Sequence, residues 1–171
     1  MFEMFDPTVA PTVLIVEPKR NALGVFARRL SEAGLKVLPT DNAIDAFAML
    51  HRHRVDLVLS ELRMPGKDGL ELTRLIRDET ALADLHVMLI TGRSDRKGAV
   101  LGYEAGCDDV IAKPFDTDVL VARIKRRFAR ARSLGELKRD KATLDARVVE
   151  RSIQIGELKD RLAAFERGQK A

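Results

Sequence analysis

A cluster of basic side chains is the first feature of this sequence that could bind a ligand. The segment from Arg123 to Arg132 contains no acidic residue and carries a local charge of +6, so the rest of the chain sums to −2. Guanidinium groups hold phosphate oxygens through paired hydrogen bonds, which suits an anionic ligand. A solvated helix face that binds nothing is the alternative. The basic residues are Arg123, Lys125, Arg126, Arg127, Arg130 and Arg132.

The composition excludes several other kinds of chemistry. Cys107 is the only cysteine, so an internal disulfide and a cysteine-based zinc site are excluded, in agreement with a reducing, cytoplasmic compartment. Glycine-rich loops of the G-x-G-x-x-G and G-x-x-x-x-G-K types do not occur, so nucleotide hydrolysis is excluded as well. The longest apolar runs are far shorter than the ~20 residues of a membrane-spanning helix. General nucleic-acid binding is not expected, because one segment carries all of the positive excess.

The first 130 residues alternate between apolar runs and segments with helical periodicity. Residues 23–30 and 43–50 place apolar side chains at the i, i+3, i+4, i+7 spacing of one helical face. Near-continuous runs of Val, Ile and Leu are typical of strands that are buried on both faces of a parallel sheet. The pattern predicts an α/β fold, a doubly wound five-stranded parallel sheet with a crevice at the carboxyl ends of its strands. The strand candidates are Val13–Val16, Lys36–Leu38, Asp56–Ser60, Val87–Thr91 and Val110–Ala112.

The residues after Arg132 predict one long helix with the periodicity of a coiled coil. Ten positions recur at alternating intervals of three and four residues, and eight of them are apolar. A lone amphipathic helix has no reason to keep this 3.5-residue period, so we expect a coiled coil that forms a homodimer. A helix that folds back onto its own domain is the alternative. The apolar seam positions are Leu134, Leu137, Leu144, Val148, Ile155, Leu158, Leu162 and Phe165.

The two remaining seam positions and the flanking charges bear on how the helices pair. With Leu134 at heptad position a, Lys141 lies at a and Arg151 at d, and these cations favour few strands over a large bundle. In a parallel dimer Arg161 would pair with Glu166, whereas Asp140 would face Asp145. The flanking charges therefore favour parallel pairing only modestly, and the direction stays open.

Four motifs resemble those of a known family. They are VLIVE at 13–17, DLVLSELRMPGKDG at 56–69, ITG at 90–92 and GCDDVIAKPF at 106–115. Their order and spacing resemble the receiver domain of two-component response regulators over residues 12–130. The resemblance implies a flavodoxin-like or CheY-like fold and a cis peptide at Lys113-Pro114. Residues 1–11 then form a flexible leader, and residues 131–171 form the coiled-coil helix.

The resemblance also implies a phosphorylation pocket, of which this chain keeps only part. In the family, two acids after the first strand help to hold Mg²⁺, a Thr or Ser ends the fourth strand and a Lys ends the fifth. Thr91 and Lys113 match, and Glu17 fills the first acidic position with a longer side chain. Pro18 takes the second acidic position and offers no side-chain oxygen. Mg²⁺ binding is therefore expected to be weak or absent, and no cofactor is predicted.

The acceptor and the switch positions of the family also differ in this chain. Glu61 stands where an Asp accepts the phosphoryl group, and Val110 replaces an aromatic residue that reports phosphorylation. The extra methylene group of Glu displaces the carboxylate by about an ångström, enough to slow such a transfer roughly 10²-fold. We expect Glu61 either to pair with Lys113 and Thr91, partly imitating the phosphorylated state, or merely to fill the pocket.

These features support one leading hypothesis about function and two alternatives. The leading one is a pseudo-receiver: a non-enzymatic signalling adaptor that dimerises through its coiled coil and binds another bacterial signalling protein. The first alternative is an effector that binds an anionic ligand such as cyclic di-GMP through Arg123, Arg126, Arg127 and Arg130 of the segment 123–132. The second is a conventional phosphorylated response regulator. Direct gene regulation is not expected, because the residues after Arg132 predict a helix and no DNA-binding domain. The chain could still be the amino-terminal part of a longer architecture.

Overall fold

The computed structural model describes residues 10–93 and 95–168, apart from the side chains of residues 163 and 165–168. Five strands alternate with five helices, as predicted, and each predicted strand is confirmed to within two residues at either end. The strands are β1 (Thr12–Val16), β2 (Lys36–Thr40), β3 (Leu57–Glu61), β4 (His86–Thr91) and β5 (Asp109–Ala112). The helices are α1 (Arg20–Glu32), α2 (Ala43–Leu50), α3 (Gly69–Asp78), α4 (Arg96–Glu104) and α5 (Thr117–Gly168).

The strands form one parallel sheet in the order β2-β1-β3-β4-β5. The inner strands β1 and β3 are fully buried, which explains their continuous apolar sequences. Pro39 lies in β2, at an edge of the sheet, where a missing N–H costs no ladder hydrogen bond. Pro11, predicted as the end of the leader, accepts a hydrogen bond from the N–H of Lys36 (2.9 Å), so the ordered chain begins before Thr12. Residues 1–9 of that predicted leader lie outside the described residues.

Alternate side chains of each strand face opposite sides of the sheet and build two cores. Leu14 and Val58 pack on one side, against apolar side chains of α2 and α3. Val13 and Leu57 pack on the other side, against α1 and the first three turns of α5. This arrangement of helices on both faces is the predicted doubly wound fold.

Gly69 fixes the distance between α3 and the end of β3. A Cβ at this position would lie 2.5 Å from the carbonyl oxygen of Glu61, so no larger residue fits without a shift of the main chain. Asp68 caps the helix, because its side chain accepts hydrogen bonds from the N–H groups of Leu70 and Glu71. The side chain of Glu71 accepts in return from the N–H of Asp68, which completes a capping box. The segment between Glu61 and α3 is therefore fixed by the close packing of Gly69 and by the capping box of Asp68 and Glu71.

The amino edge of the sheet is held by the guanidinium of Arg77. It donates to the carboxylate of Asp108 (2.8 Å) and to three carbonyl oxygens, those of Gly106, Ala83 and Leu85. Asp108 also accepts from the N–H of Val87 (2.8 Å), at the start of β4. Arg77 thus connects the end of α3 with the loops that enter β4 and β5.

His86 extends this network to α5. Its Nδ1 accepts a hydrogen bond from Nε of Arg127 (2.9 Å) and lies 3.4 Å from the carboxylate of Asp108. Burial lowers the pKa of His86, and the cations Arg127 and Arg77 lower it further, while Asp108 and Asp109 oppose the shift. The net pKa is below the ordinary value, so His86 is neutral in the folded protein at pH 7.

We predict that protonation of His86 makes the fold less stable in mild acid. Because the folded pKa is depressed, the contribution is complete above about pH 6.5, the ordinary value for histidine, and is lost as the pH falls below it. His86→Asn removes this titration and keeps a hydrogen-bond acceptor. Urea unfolding at pH 7.5 and 5.5 should show that the native protein loses up to about 1 kcal/mol more than the variant does. Equal losses in the two proteins would contradict the prediction.

The chain divides into two units, Met1–Phe128 and Ala129–Ala171, and α5 contributes to both. Leu120, Ile124 and Phe128 are the buried residues of α5 in the first unit. In the second unit, the predicted seam residues with described side chains, from Leu134 to Leu162, are 52% to 67% exposed. The side chain of Phe165, the last predicted seam residue, lies outside the described residues. No helix among the described residues is long and apolar enough to span a membrane.

Candidate functional site

Four side chains that could take part in chemistry lie at the carboxyl edge of the sheet. Glu61 and Thr91 end β3 and β4, while Glu17 follows β1 and Lys113 follows β5. Because β1, β3, β4 and β5 are consecutive neighbours in a parallel sheet, their carboxyl ends lie side by side. The predicted pocket residues are therefore brought together. The peptide between Lys113 and Pro114 is cis, as the resemblance implied.

Lys113 binds both carboxylates of the pocket. Its Nζ lies 3.1 Å from Oε2 of Glu17 and forms a short contact with Oε2 of Glu61. Glu17 is 1% exposed and Glu61 is 8% exposed, so the ammonium group is the main source of compensation for two buried acids. Oε1 of Glu17 also accepts a hydrogen bond from the N–H of Lys19 (3.0 Å), which fixes that carboxylate from the other side.

The electrostatics of the pocket balance burial against this pairing. Burial raises the pKa of Glu61, and the neighbouring Glu17 raises it as well, while Lys113 opposes both effects. Burial alone would lower the pKa of Lys113, but its hydrogen bonds to Glu61 and Glu17 outweigh burial and raise that pKa. We conclude that Lys113 is protonated at neutral pH. Its positive charge offsets the burial of the two carboxylates and their mutual repulsion.

The hydroxyl of Thr91 does not form the contact with Glu61 that the sequence suggested. Its hydroxyl is buried and has no hydrogen-bond partner among the described residues, so the hypothesised contact with Glu61 is not formed. Its carbonyl oxygen instead accepts from the N–H of Lys113 (2.7 Å). The carboxylate of Glu61 contacts Lys113 instead, and Thr91 Oγ1 has no partner among the described residues.

The residues of this pocket do not fit a magnesium site. Pro18 supplies no side-chain oxygen, and Oε2 of both Glu17 and Glu61 already contacts the ammonium of Lys113. A divalent cation would therefore compete with that ammonium for the two carboxylates. The described residues contain no cluster of three or more metal-ligating side chains.

Val110 occupies the position of the family's switch aromatic in β5 and is half-buried there. It packs against the core that covers the face of the sheet carrying α2 and α3. A valine has no ring that could move between a buried and an exposed position. The site therefore holds two carboxylates, an ammonium and a hydroxyl, and the position of the family's switch aromatic holds a valine.

The four arginines of the predicted anion site have different surroundings. Arg123 lies 3.2 Å from a carboxylate oxygen of Asp109, and Arg127 donates to His86. Arg126 and Arg130 are exposed and form no ion pair with a described residue. Only two of the four guanidinium groups thus face solvent without such a contact, and anion binding by this segment stays a prediction from sequence.

Arg63 is a residue of this edge that the sequence analysis missed. Its guanidinium lies 3.0 Å from Asp95, the cap of α4, and 3.6 Å from Asp68, the cap of α3. It therefore connects the two loops that follow β3 and β4. The cap positions carry a sequence signal, because an acid precedes each helix, but nothing in the sequence indicates that one arginine contacts both caps.

Comparison with known proteins settles the family. Residues 13–125 match the profile of the response regulator receiver domain, which covers about two thirds of the chain. The chain belongs to that family. Transcriptional regulatory protein AruR of Pseudomonas aeruginosa is 37% identical over 129 residues, which are 72% of this chain and 52% of AruR. Transcriptional regulatory protein CseB of Streptomyces coelicolor is 39% identical over 122 residues, which are 70% of this chain and 51% of CseB.

Solved structures agree with this assignment. The receiver domain of a signal transduction histidine kinase from Syntrophus aciditrophicus has a TM-score of 0.65 and 33% identity, covering 68% of this chain and 89% of that one. A response regulator receiver protein from Pseudomonas putida has a TM-score of 0.64 and 28% identity, covering 69% and 98%. This receiver domain therefore has the fold of its relatives, although the chain spans only about half the length of the curated relatives it matches.

We predict that Lys113→Met destabilises the receiver domain at pH 7, because two buried carboxylates lose their cation. The loss should be about 1–3 kcal/mol, less than the roughly 3–5 kcal/mol of a fully buried pair, because the side chain of Lys113 is 33% exposed. The deficit should shrink towards pH 5. Burial already raises the pKa of Glu61, and losing Lys113 raises it further, so stability is lost as the pH rises through that value. Urea unfolding across this range measures the effect.

Two further variants control the lysine experiment. Lys67→Met removes an exposed lysine of the loop after β3 and should change stability by less than about 0.5 kcal/mol. Adding Glu61→Gln to Lys113→Met should restore part of the loss, because it removes one of the uncompensated charges. A Lys113→Met protein as stable as the Lys67→Met control would contradict the account of the pocket.

Proposed function

We propose that this protein is a pseudo-receiver, a non-enzymatic signalling adaptor whose pocket does not accept a phosphoryl group in the ordinary way. One observation carries the proposal: the carboxylate of Glu61, at the acceptor position, is paired with Lys113, which also binds Glu17. The pocket thus holds a glutamate, paired with a lysine, at the place where the family carries an aspartate that accepts the phosphoryl group.

Two physical differences from a phosphorylatable pocket support this proposal. The longer side chain of Glu61 moves the attacking oxygen by about an ångström, and such misplacement costs roughly 10²-fold in rate. Without a metal site, charge that develops on a transferring phosphoryl group lacks its main stabilisation.

We predict that the intact chain forms no phosphoryl adduct when it is incubated with acetyl phosphate and Mg²⁺. The matched variant combines Glu61→Asp with Pro18→Asp, which restores a shorter acceptor and a second acid at the positions where the family carries them. Intact-mass spectrometry over time should show that this variant is labelled at least roughly 10²-fold faster than the native chain.

Either of two results would count against the pseudo-receiver. A stoichiometric adduct on native Glu61 would show that the longer acceptor is competent. Rapid labelling by a cognate histidine kinase at the rate of a conventional receiver would do the same. Labelling of the restored variant is the positive control that shows the assay can detect a phosphoryl group on this fold.

The second part of the proposal is that two copies associate through the helix after Arg132. The apolar seam residues from Leu134 to Leu162 are more than half exposed in the single chain, although they keep the coiled-coil period for more than four heptads. Burying such a stripe against an identical stripe removes apolar surface from water at ~25 cal/mol per Å². A second copy of this chain is the partner with the same period.

Two adjacent valines provide a matched test of this association. Val148 lies at heptad position a and is 63% exposed, and Val149 lies at b and is 60% exposed, so they differ mainly in whether they belong to the seam. We predict that Val148→Asp weakens the dimer at least roughly tenfold, because a buried carboxylate in the seam is left unpaired. Val149→Asp should leave the dimer intact.

Light scattering of both variants over a concentration series gives the dissociation constants. The dimer should be lost at micromolar concentration only in Val148→Asp. Equal behaviour of the two variants, or a monomeric native chain, would contradict pairing through this seam.

As an adaptor, the protein would act by binding another bacterial signalling protein through the receiver domain or the coil. Family membership supports a role in signal transduction, and the absence of an acceptor aspartate at Glu61 supports a role by association rather than by phosphoryl transfer. Two receiver domains held on one coil would present two copies of the same binding surface, which raises the effective concentration for a dimeric partner.

A further inference from the structure

The exposed seam of α5 also contains information about the direction in which two helices pair. In a parallel, in-register coil each seam position faces the same position of the second copy, whereas in an antiparallel coil each a position faces a d position. The helix is continuous from Thr117 to Gly168, so the heptad positions can be aligned without a break. This inference rests on the pairing proposed above.

The two cations in the seam distinguish the directions. Lys141 lies at a and Arg151 lies at d, and both are exposed in the single chain. In a parallel dimer each would face its own copy, which creates two layers that contain two like charges. In the antiparallel alignment that overlaps all ten seam positions, Lys141 faces Leu158 of the second copy and Arg151 faces Val148. No layer then contains two cations, and each long side chain can extend outward past an apolar neighbour.

The flanking charges do not offset this difference. The parallel dimer has one attractive type of pair, Arg161 with Glu166, and one repulsive type, Asp140 with Asp145. The antiparallel dimer also has one of each. Asp140 faces Arg161, which is attractive, and Lys138 faces Lys159, which is repulsive. Surface pairs of this kind contribute little individually, so the flanking charges stabilise the parallel and the antiparallel dimer about equally. The two cations in the seam therefore determine which direction is preferred.

We propose that the helical segments after Arg132 bind a second copy of this chain in antiparallel orientation. The alignment places Leu144 opposite Ile155 of the second copy, on both sides of a two-fold axis that passes between Val149 and Glu150. The amino ends of the two paired segments then lie at opposite ends of the helical pair. This conclusion reverses the modest preference for parallel pairing that the flanking charges alone suggested.

Disulfide cross-linking tests the direction. In a full-length Cys107→Ala background, one chain carries Leu144→Cys and a second chain of different mass carries Ile155→Cys. After mixing and oxidation, the antiparallel dimer should yield only the disulfide between the two different chains. Each variant oxidised alone should yield none, because identical positions lie eleven residues apart along the helix, about 16 Å.

Each outcome has a separate meaning. Disulfides between identical chains would overturn the antiparallel proposal and leave the dimer standing. A dimer by light scattering that forms neither cross-link would also overturn it, because the alignment would be different. A monomer by light scattering, without any cross-link, would refute the pairing itself and the antiparallel proposal with it.

Charge reversal provides an independent readout with opposite signs for the two directions. Asp140→Lys puts a cation opposite Arg161 in the antiparallel dimer and should raise the dissociation constant roughly three- to tenfold. In a parallel dimer the same change would face Asp145 and lower the constant. Adding Arg161→Glu restores an attractive antiparallel pair and should return the constant to within about twofold of the native value. A tighter Asp140→Lys dimer, or no rescue by the second change, would contradict the antiparallel alignment.

Discussion

The pocket depends on one ammonium group that is shared by two buried carboxylates. Glu17 and Glu61 follow or end neighbouring inner strands, so the parallel sheet forces their side chains towards the same edge. Two carboxylates cannot both remain ionised at that depth without a cation. In this chain Lys113 is the cation that contacts both acids. The contact between Lys113 and Glu61 therefore has two effects. It compensates the charge of a buried carboxylate, and it occupies the side chain at the acceptor position.

The helix α5 combines two different environments along one continuous element. In its first turns Leu120, Ile124 and Phe128 are buried in a core of the receiver domain. Their spacing places them on one face of the helix, which packs against one face of the sheet. After Phe128 the apolar residues follow a 3.5-residue period, and the seam residues with described side chains, from Leu134 to Leu162, are exposed within one chain. A stripe of this kind can lower its free energy by packing against another helix. The association proposed above rests on this change of period and requires no change in the pocket.

Much of the fold could be predicted because its signals are local and repeated. Continuous apolar runs specify buried parallel strands, and Gly34 and Gly106 adopt the positive φ angles expected of the turns that follow helices. Contacts between distant residues were less accessible. Arg77, Arg63 and His86 contact partners that approach only when helices and loops have packed on the sheet, and no spacing in the sequence encodes those approaches. Thr91 shows the same limit, because which of two neighbours Glu61 contacts depends on fractions of an ångström.

The sequence by itself determined the receiver fold, the substituted acceptor and the period of the long helix, because residue identity and spacing specify each of these directly. Only the tertiary structure decided that Lys113 binds Glu17 and Glu61 together, and that Thr91 Oγ1 meets no hydrogen-bond partner in the described part of the chain. The contacts of Arg123 with Asp109 and of Arg127 with His86 were likewise decided only there. The reason is geometric. A sequence fixes which groups are available and on which strand they lie, but hydrogen bonds and ion pairs need a donor and an acceptor within about 3 Å, and only packing sets distances at that scale.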